Sequence, residues 1–190
     1  RLLAAYAFDL ALADVQRASA QPLVCEIKLA WWDEALAELR ASGQHRGHPV
    51  LQGLQSLPQG GFRYARQMIL ARRHLVALSA GEASYTLSAG AVGHRLGLVC
   101  AIVLGLSPTT RPARQLAAWS AVYALSREPN PASEALAVWR GKARQLGFPT
   151  HSQCVGGSAH LALVDSDKPF PMGLALRLRL FASVIRPPRA

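Results

Sequence analysis

Apolar residues recur along this chain at steps of three and four with little interruption, and strand signals are nearly absent. That period lines apolar side chains along one face of a helix. Alanine and leucine dominate, and both are strong helix formers. The pattern predicts a first helix over Leu2–Ser19, a second from Pro22 to just before Gly43, and a short third over Val50–Leu57. Pro58, Gly60 and Gly61 then break the chain. Further helices are expected over Phe62–Ser79, Leu87–Leu104, Ala113–Arg127, Pro131–Leu146 and Met172–Ile185. Pro22 suits a first helical turn, and Asn130-Pro131 is a helix start. The expected architecture is all-α, a helical bundle in one domain over residues 1–190. A weak seam falls at 150–170, where Gly156, Gly157, Asp165, Asp167 and Pro169 collect.

The same periodicity assigns faces. Leu3, Ala7, Leu10 and Asp14 share a register, which puts one carboxylate at the edge of an expected buried stripe. In the second helix Ile27, Trp31 and Ala35 line one side, and Leu29, Trp32, Leu36 and Leu39 line the next. A helix apolar over that width is expected to be mostly buried, with Trp31 and Trp32 in the core. Gly90, Gly93 and Gly97 lie inside a helical pattern, where each glycine costs up to about 1 kcal/mol. They serve either close helix approach or a tight ligand wall.

Composition narrows the function classes. Hydrophobic residues make up 51%, which excludes a disordered tail protein. Lys plus Arg total 21 against 11 Asp plus Glu, a formal charge of +10. Only Lys28, Lys142 and Lys168 are lysines. Arginine suits planar bidentate partners such as phosphates, so the charge points to diphosphates, anionic lipid or nucleic acid. The aromatics are not interleaved with basic residues as base stacking needs, so no nucleic acid is expected. Cys25, Cys100 and Cys154 are too scattered for a disulfide framework or a zinc site and read as small hydrophobes in a reducing, cytoplasmic setting. There is no strand-led phosphate loop and no serine elbow. The longest apolar stretch, Leu96–Leu106, has 11 residues and reads as a buried helix segment, against about 20 for a membrane span. The chain opens at Arg1 already inside a helical pattern, which reads as a fragment, a processed chain or a set of ordered residues.

Several residues are candidates for chemistry. Asp9 and Asp14, about 140° apart around a helix, are either part of a magnesium clamp or surface and edge carboxylates. Arg63, Arg66, Arg72, Arg73 and His74 crowd the next long helix, as a phosphate grip or as its solvated side. Arg177, Arg179, Arg186 and Arg189 form either a contact for anionic lipid or nucleic acid or a plain solvated surface. Asp165-Ser166-Asp167 and the loop pair His45 and His48 are weaker metal candidates.

The opening helices resemble a known family. Tyr6-Ala7-Phe8-Asp9, Ala13-Asp14-Val15 and Glu26-Ile27-Lys28-Leu29-Ala30-Trp31-Trp32-Asp33-Glu34-Ala35-Leu36 are similar to the start of squalene/phytoene synthases. His48-Pro49-Val50, Ile69 to Leu75 and Ala89 to Gly105 fit the segments that follow, so the likeness spans roughly residues 1 to 130. The resemblance implies an isoprenoid synthase fold, here shortened and truncated at its ends. Family enzymes join two prenyl diphosphates head to head, and two aspartate-rich helices hold magnesium and the diphosphates across a central cavity. Carboxylate-held metal suits that reaction, because the leaving diphosphate needs its charge neutralised.

Carried onto this sequence, the first aspartate motif falls on Ala13 to Arg17, with Ala13 and Arg17 at the outer acidic positions and Asp14 between them. The second falls at Glu128, followed by Pro129 to Ala132 without a further acid. By the resemblance, Asp14 and Glu128 are the catalytic and metal positions. Tyr6, Arg17, Arg66, Arg73 and Arg127 are the substrate-binding ones, and Trp31, Trp32, Gly90 and Gly93 are structural. Some relatives without intact aspartate motifs serve in respiratory complex I assembly. Two readings follow. In one the chain is a non-catalytic assembly or lipid- or isoprenoid-binding protein with no cofactor, cytoplasmic and peripheral on a membrane. In the other it is a magnesium-dependent prenyltransferase.

Overall fold

The computed structural model describes residues 1–19, 21–78, 83–126 and 133–147. Seven helices account for most of them: α1 (Leu2–Arg17), α2 (Pro22–Ser42), α3 (Pro49–Leu54), α4 (Gln59–Val76), α5 (Ala83–Val103), α6 (Arg111–Ser126) and α7 (Ser133–Leu146). No strand occurs among the described residues. The expected helix over Met172–Ile185 and the seam at 150–170 lie outside the described residues.

The boundaries follow local chemistry. Pro22 opens α2, where its missing N–H costs nothing. Gly43 closes that helix at φ +75°, a left-handed conformation suited to glycine, and donates its N–H to the Leu39 carbonyl. His48 caps α3: its Nδ1 accepts from the Val50 N–H at 3.2 Å. The same imidazole packs on Trp32 at 4.8 Å and on Trp31 at 5.8 Å between ring centroids. Trp32 also meets Phe8 edge-on at 5.5 Å. This aromatic knot ties α1, α2 and the α2–α3 loop together. Trp32 is buried, and Trp31 is half-buried against the core.

α5 is the central helix, packed on α1, α4, α6 and α7. Of the segment Leu96–Leu106 expected to be a buried helix, Leu96–Ala101 is buried throughout, whereas the helix ends at Val103, Leu104 is 37% exposed and the chain turns at Gly105, φ +77°. The α5–α6 seam is the most extensive pairing and is built from small residues. A Cβ on Gly97 would stand 2.5 Å from the Ala117 Cα and 2.6 Å from the Leu116 carbonyl oxygen. One on Gly93 would collide with the Ser120 carbonyl and Ala124. Gly90 leaves room for the Trp139 ring of α7. Of the two roles open to these glycines, close approach is what the packing shows.

One face assignment is reversed, and a second holds except at one residue. On α1 the buried stripe is Ala5, Phe8, Leu12 and Val15, joined by Asp9, whereas Leu3 is 82% exposed and Leu10 44%. On α2 the expected stripe Leu29, Trp32, Leu36 and Leu39 faces inward, joined by Cys25 and Ala35, and the departure is Ile27, which is 62% exposed. Both helices carry apolar residues almost all round, so several stripes satisfy the helical period. The neighbours, not the period, select one.

α7 packs against a titrating group of α5. The His94 ring of α5 lies 5.6 Å from the Trp139 ring, and burial lowers its pKa below 6.5, assisted by the nearby charges of Arg95 and Lys142. The unfolded chain therefore binds more protons than the folded one as pH falls below 6.5. Stability from keeping this ring neutral is fully present above that value and declines as pH drops toward the depressed folded pKa. Urea midpoints should fall between about pH 7.5 and about pH 5, and His94→Gln should flatten that part of the profile. An unchanged slope in the variant would rule His94 out as its source.

Candidate functional site

The polar centre of the bundle lies where α1, α4 and α5 meet. Asp9 of α1 is 1% exposed and accepts from Arg72 Nη2 of α4 at 3.4 Å. Arg72, itself buried, also donates from Nη1 to Gln16 Oε1 at 3.1 Å. Tyr6 hydrogen-bonds the Cys100 side chain of α5 and meets Tyr123 of α6 edge-on at 6.3 Å. Burial pushes the Cys100 thiol up to about 12, and the Asp9 charge adds to it against the Tyr6 hydrogen bond. At neutral pH that sulfur is a thiol and no nucleophile.

This cluster corrects two expectations. Asp9 is not a surface or edge carboxylate, and Arg72 is not on the solvated side of its helix. Their pairing joins residues 63 positions apart, beyond the reach of local pattern. The available signal was the alternative stripe Ala5, Phe8, Leu12 and Val15, which places Asp9 on the inner face of α1.

Asp14 sits on the opposite, exposed face of α1, bound to Arg17 Nη1 at 3.1 Å one turn on. Ala13 is buried. Arg66 and Arg73 do not converge on an open anion site. Arg66 grips Asp33 of α2 through Nε at 2.9 Å and Nη2 at 3.4 Å. Arg73 grips Glu26 at 2.8 Å. Along α2 the acids step back by seven residues as the arginines step forward by seven along α4, so the two bridges fix an antiparallel register. The Asp33 hydrogen bond and charge raise the Arg66 pKa further. Arg127 and Glu128 lie outside the described residues, as do Asp165, Asp167 and Arg177 to Arg189.

Outside the bundle, a groove of about 700 Å³ runs between α2 and α4, with Leu36, Phe62 and Leu70 as apolar lining and Arg40, Arg63 and Arg66 around it. A second groove, about 370 Å³, lies on the other side of α4 against α5 and shares Gln67 and Leu70 with the first.

The squalene/phytoene synthase family model matches residues 1–129, which span α1 to the end of α6. The chain belongs to the squalene/phytoene synthase family. No curated protein and no solved structure gave a match. The matched region holds the aromatic knot, the polar centre and the α5–α6 seam, so the family resemblance and the all-α bundle agree.

Family membership raises the question of magnesium, and the donors on α1 do not fit it. Magnesium wants converging oxygen ligands. α1 offers one exposed carboxylate, Asp14, already paired with a guanidinium, while the other acid of the helix is consumed by Arg72. Among the described residues no three His, Cys, Asp or Glu side chains group as metal ligands. Among them, too, no helix is long and apolar enough to cross a membrane.

Proposed function

We propose that this chain is a squalene/phytoene synthase family member that does not condense prenyl diphosphates and instead serves as a non-catalytic assembly or lipid-binding protein, peripheral on a membrane. The observation that carries the reading is the Asp14–Arg17 pair, 3.1 Å apart, at the first aspartate motif. Where the family needs several carboxylates, α1 presents one at its surface, and that one is paired with Arg17 of its own helix. A leaving diphosphate requires excess positive charge at the breaking bond. Arg17 supplies a guanidinium that grips phosphate but cannot recruit a metal. The assembly half of the reading follows those relatives that lack the aspartate motifs. The lipid half is supported by the net charge of +10.

The test is product formation by the full chain given farnesyl or geranylgeranyl diphosphate with magnesium. The expected result is no squalene- or phytoene-type product and no magnesium-dependent pyrophosphate binding by calorimetry. Product or binding that disappears in Asp14→Ala would establish the prenyltransferase alternative instead.

A further inference from the structure

The outer surface formed by α2 and α4 carries features the bundle does not use. Along α2, Leu23, Ile27, Glu34, Ala37 and Ala41 share the side away from the core at steps of four, seven, three and four, so the carboxylate of Glu34 divides two apolar pairs. Leu23 is 73% exposed and Ile27 62%. Ala37 and Ala41 line the groove between α2 and α4, so the stripe runs directly into it. On the far wall stands Leu70, 46% exposed. The cations around this groove divide into two kinds. Arg66 is held by Asp33. Arg40 and Arg63 are exposed, and no carboxylate among the described residues lies within ion-pair distance of either.

We propose that this α2–α4 face docks on a membrane surface bearing anionic phospholipids. Leu23, Ile27 and Leu70 would enter the headgroup boundary while Arg40 and Arg63 meet lipid phosphates. The chemistry fits the site on both counts. Exposed leucine and isoleucine side chains on the outer side of α2 and α4 suit a deformable apolar layer. Unpaired guanidinium groups at its rim suit phosphate oxygens. Each arginine at an anionic surface is worth about five-fold in partitioning. The inference rests on the lipid-associated half of the function proposed above and is independent of whether the bundle condenses substrates.

The experiment is co-sedimentation of the full chain with phosphatidylcholine vesicles, with and without phosphatidylglycerol. Binding is expected only with phosphatidylglycerol and should weaken as salt rises. Arg40→Glu with Arg63→Glu should reduce it about 25-fold or more. Leu23→Ser with Ile27→Ser should reduce it about ten-fold. Arg114→Glu with Arg144→Glu changes net charge equally on α6 and α7, helices that α2 does not touch, and should retain binding within about two-fold. All six positions are exposed, so circular dichroism should show the same helical content in every variant.

Failure of the wild type to bind phosphatidylglycerol vesicles would overturn both this face and the lipid-associated reading. Equal losses in the two arginine pairs would overturn the face alone, leaving binding by net charge. Preference for polyglutamate over vesicles would replace the membrane by an acidic protein segment and overturn the proposal. Vesicle binding through this face by a chain that also forms condensation product would uphold the face and overturn the non-catalytic reading.

Discussion

Asp9→Ala is expected to destabilise the bundle by about 3–5 kcal/mol, because it leaves the Arg72 guanidinium buried without its counter-charge. That is a large share of the about 5–15 kcal/mol that holds a typical domain together. The reason is asymmetric. At 3.4 Å the pair is long for a charge-assisted hydrogen bond, so its net worth over an apolar pair is small. Removing one partner is a different matter, since Gln16 alone cannot neutralise a cation. The double variant Asp9→Leu, Arg72→Met should therefore recover most of the loss, even though it removes more polar contacts. Urea denaturation of the wild type, both single variants and the double variant measures this as a cycle. A double variant as unstable as the sum of the singles would show that the two side chains do not act as a pair.

Gly97→Val is expected to cost at least about 3 kcal/mol, the upper end of ordinary overpacking. Two terms oppose one another. Replacing a helical glycine gains up to about 1 kcal/mol in propensity for alanine and less for valine. Against it, even a Cβ would stand 2.5 Å from the Ala117 Cα and 2.8 Å from its nitrogen. Those are backbone atoms, so relief requires α6 to move bodily away from α5, and the seam is the largest in the bundle. Gly141→Ala is the matched comparison. That glycine lies in α7 with nothing within 4 Å of a added Cβ, so the propensity term acts alone and should stabilise by up to about 1 kcal/mol. Thermal melts of the two variants should move in opposite directions. A Gly97 variant as stable as the wild type would mean that α5 and α6 do not approach this closely.

Both variants act on features that were only half legible in the sequence. The glycines could be seen within a helical pattern, and so could the alanines of α6, but nothing local says that the two faces meet. The candidate site divides in the same way. That Asp14 has Arg17 one turn on follows from helical spacing alone, and the structure pairs them. That Arg66 and Arg73 are spent on Asp33 and Glu26 could not be read, because the bridges link helices with a loop and a short helix between them. The arginines Arg177 to Arg189, expected from the sequence as an anion contact, lie outside the described residues; Arg63 is already a candidate on its helix, whereas Arg40 is marked only by the groove it flanks.

The sequence by itself determined that the chain is helical, where most helices start and stop, and which family it belongs to. Those properties rest on interactions within a few residues or on motifs written contiguously: proline at a first turn, glycine at a left-handed cap, the Trp31-Trp32 segment beside His48-Pro49. Only the tertiary structure decided which stripe of α1 turns inward, that Asp9 rather than Asp14 is buried, and which arginines keep a free charge. In helices apolar on nearly every side, the period leaves several inward faces almost equal in hydrophobic gain. Long-range packing breaks that tie, here through the Phe8–Trp32 knot on one side of α1 and the Arg72 guanidinium beside it.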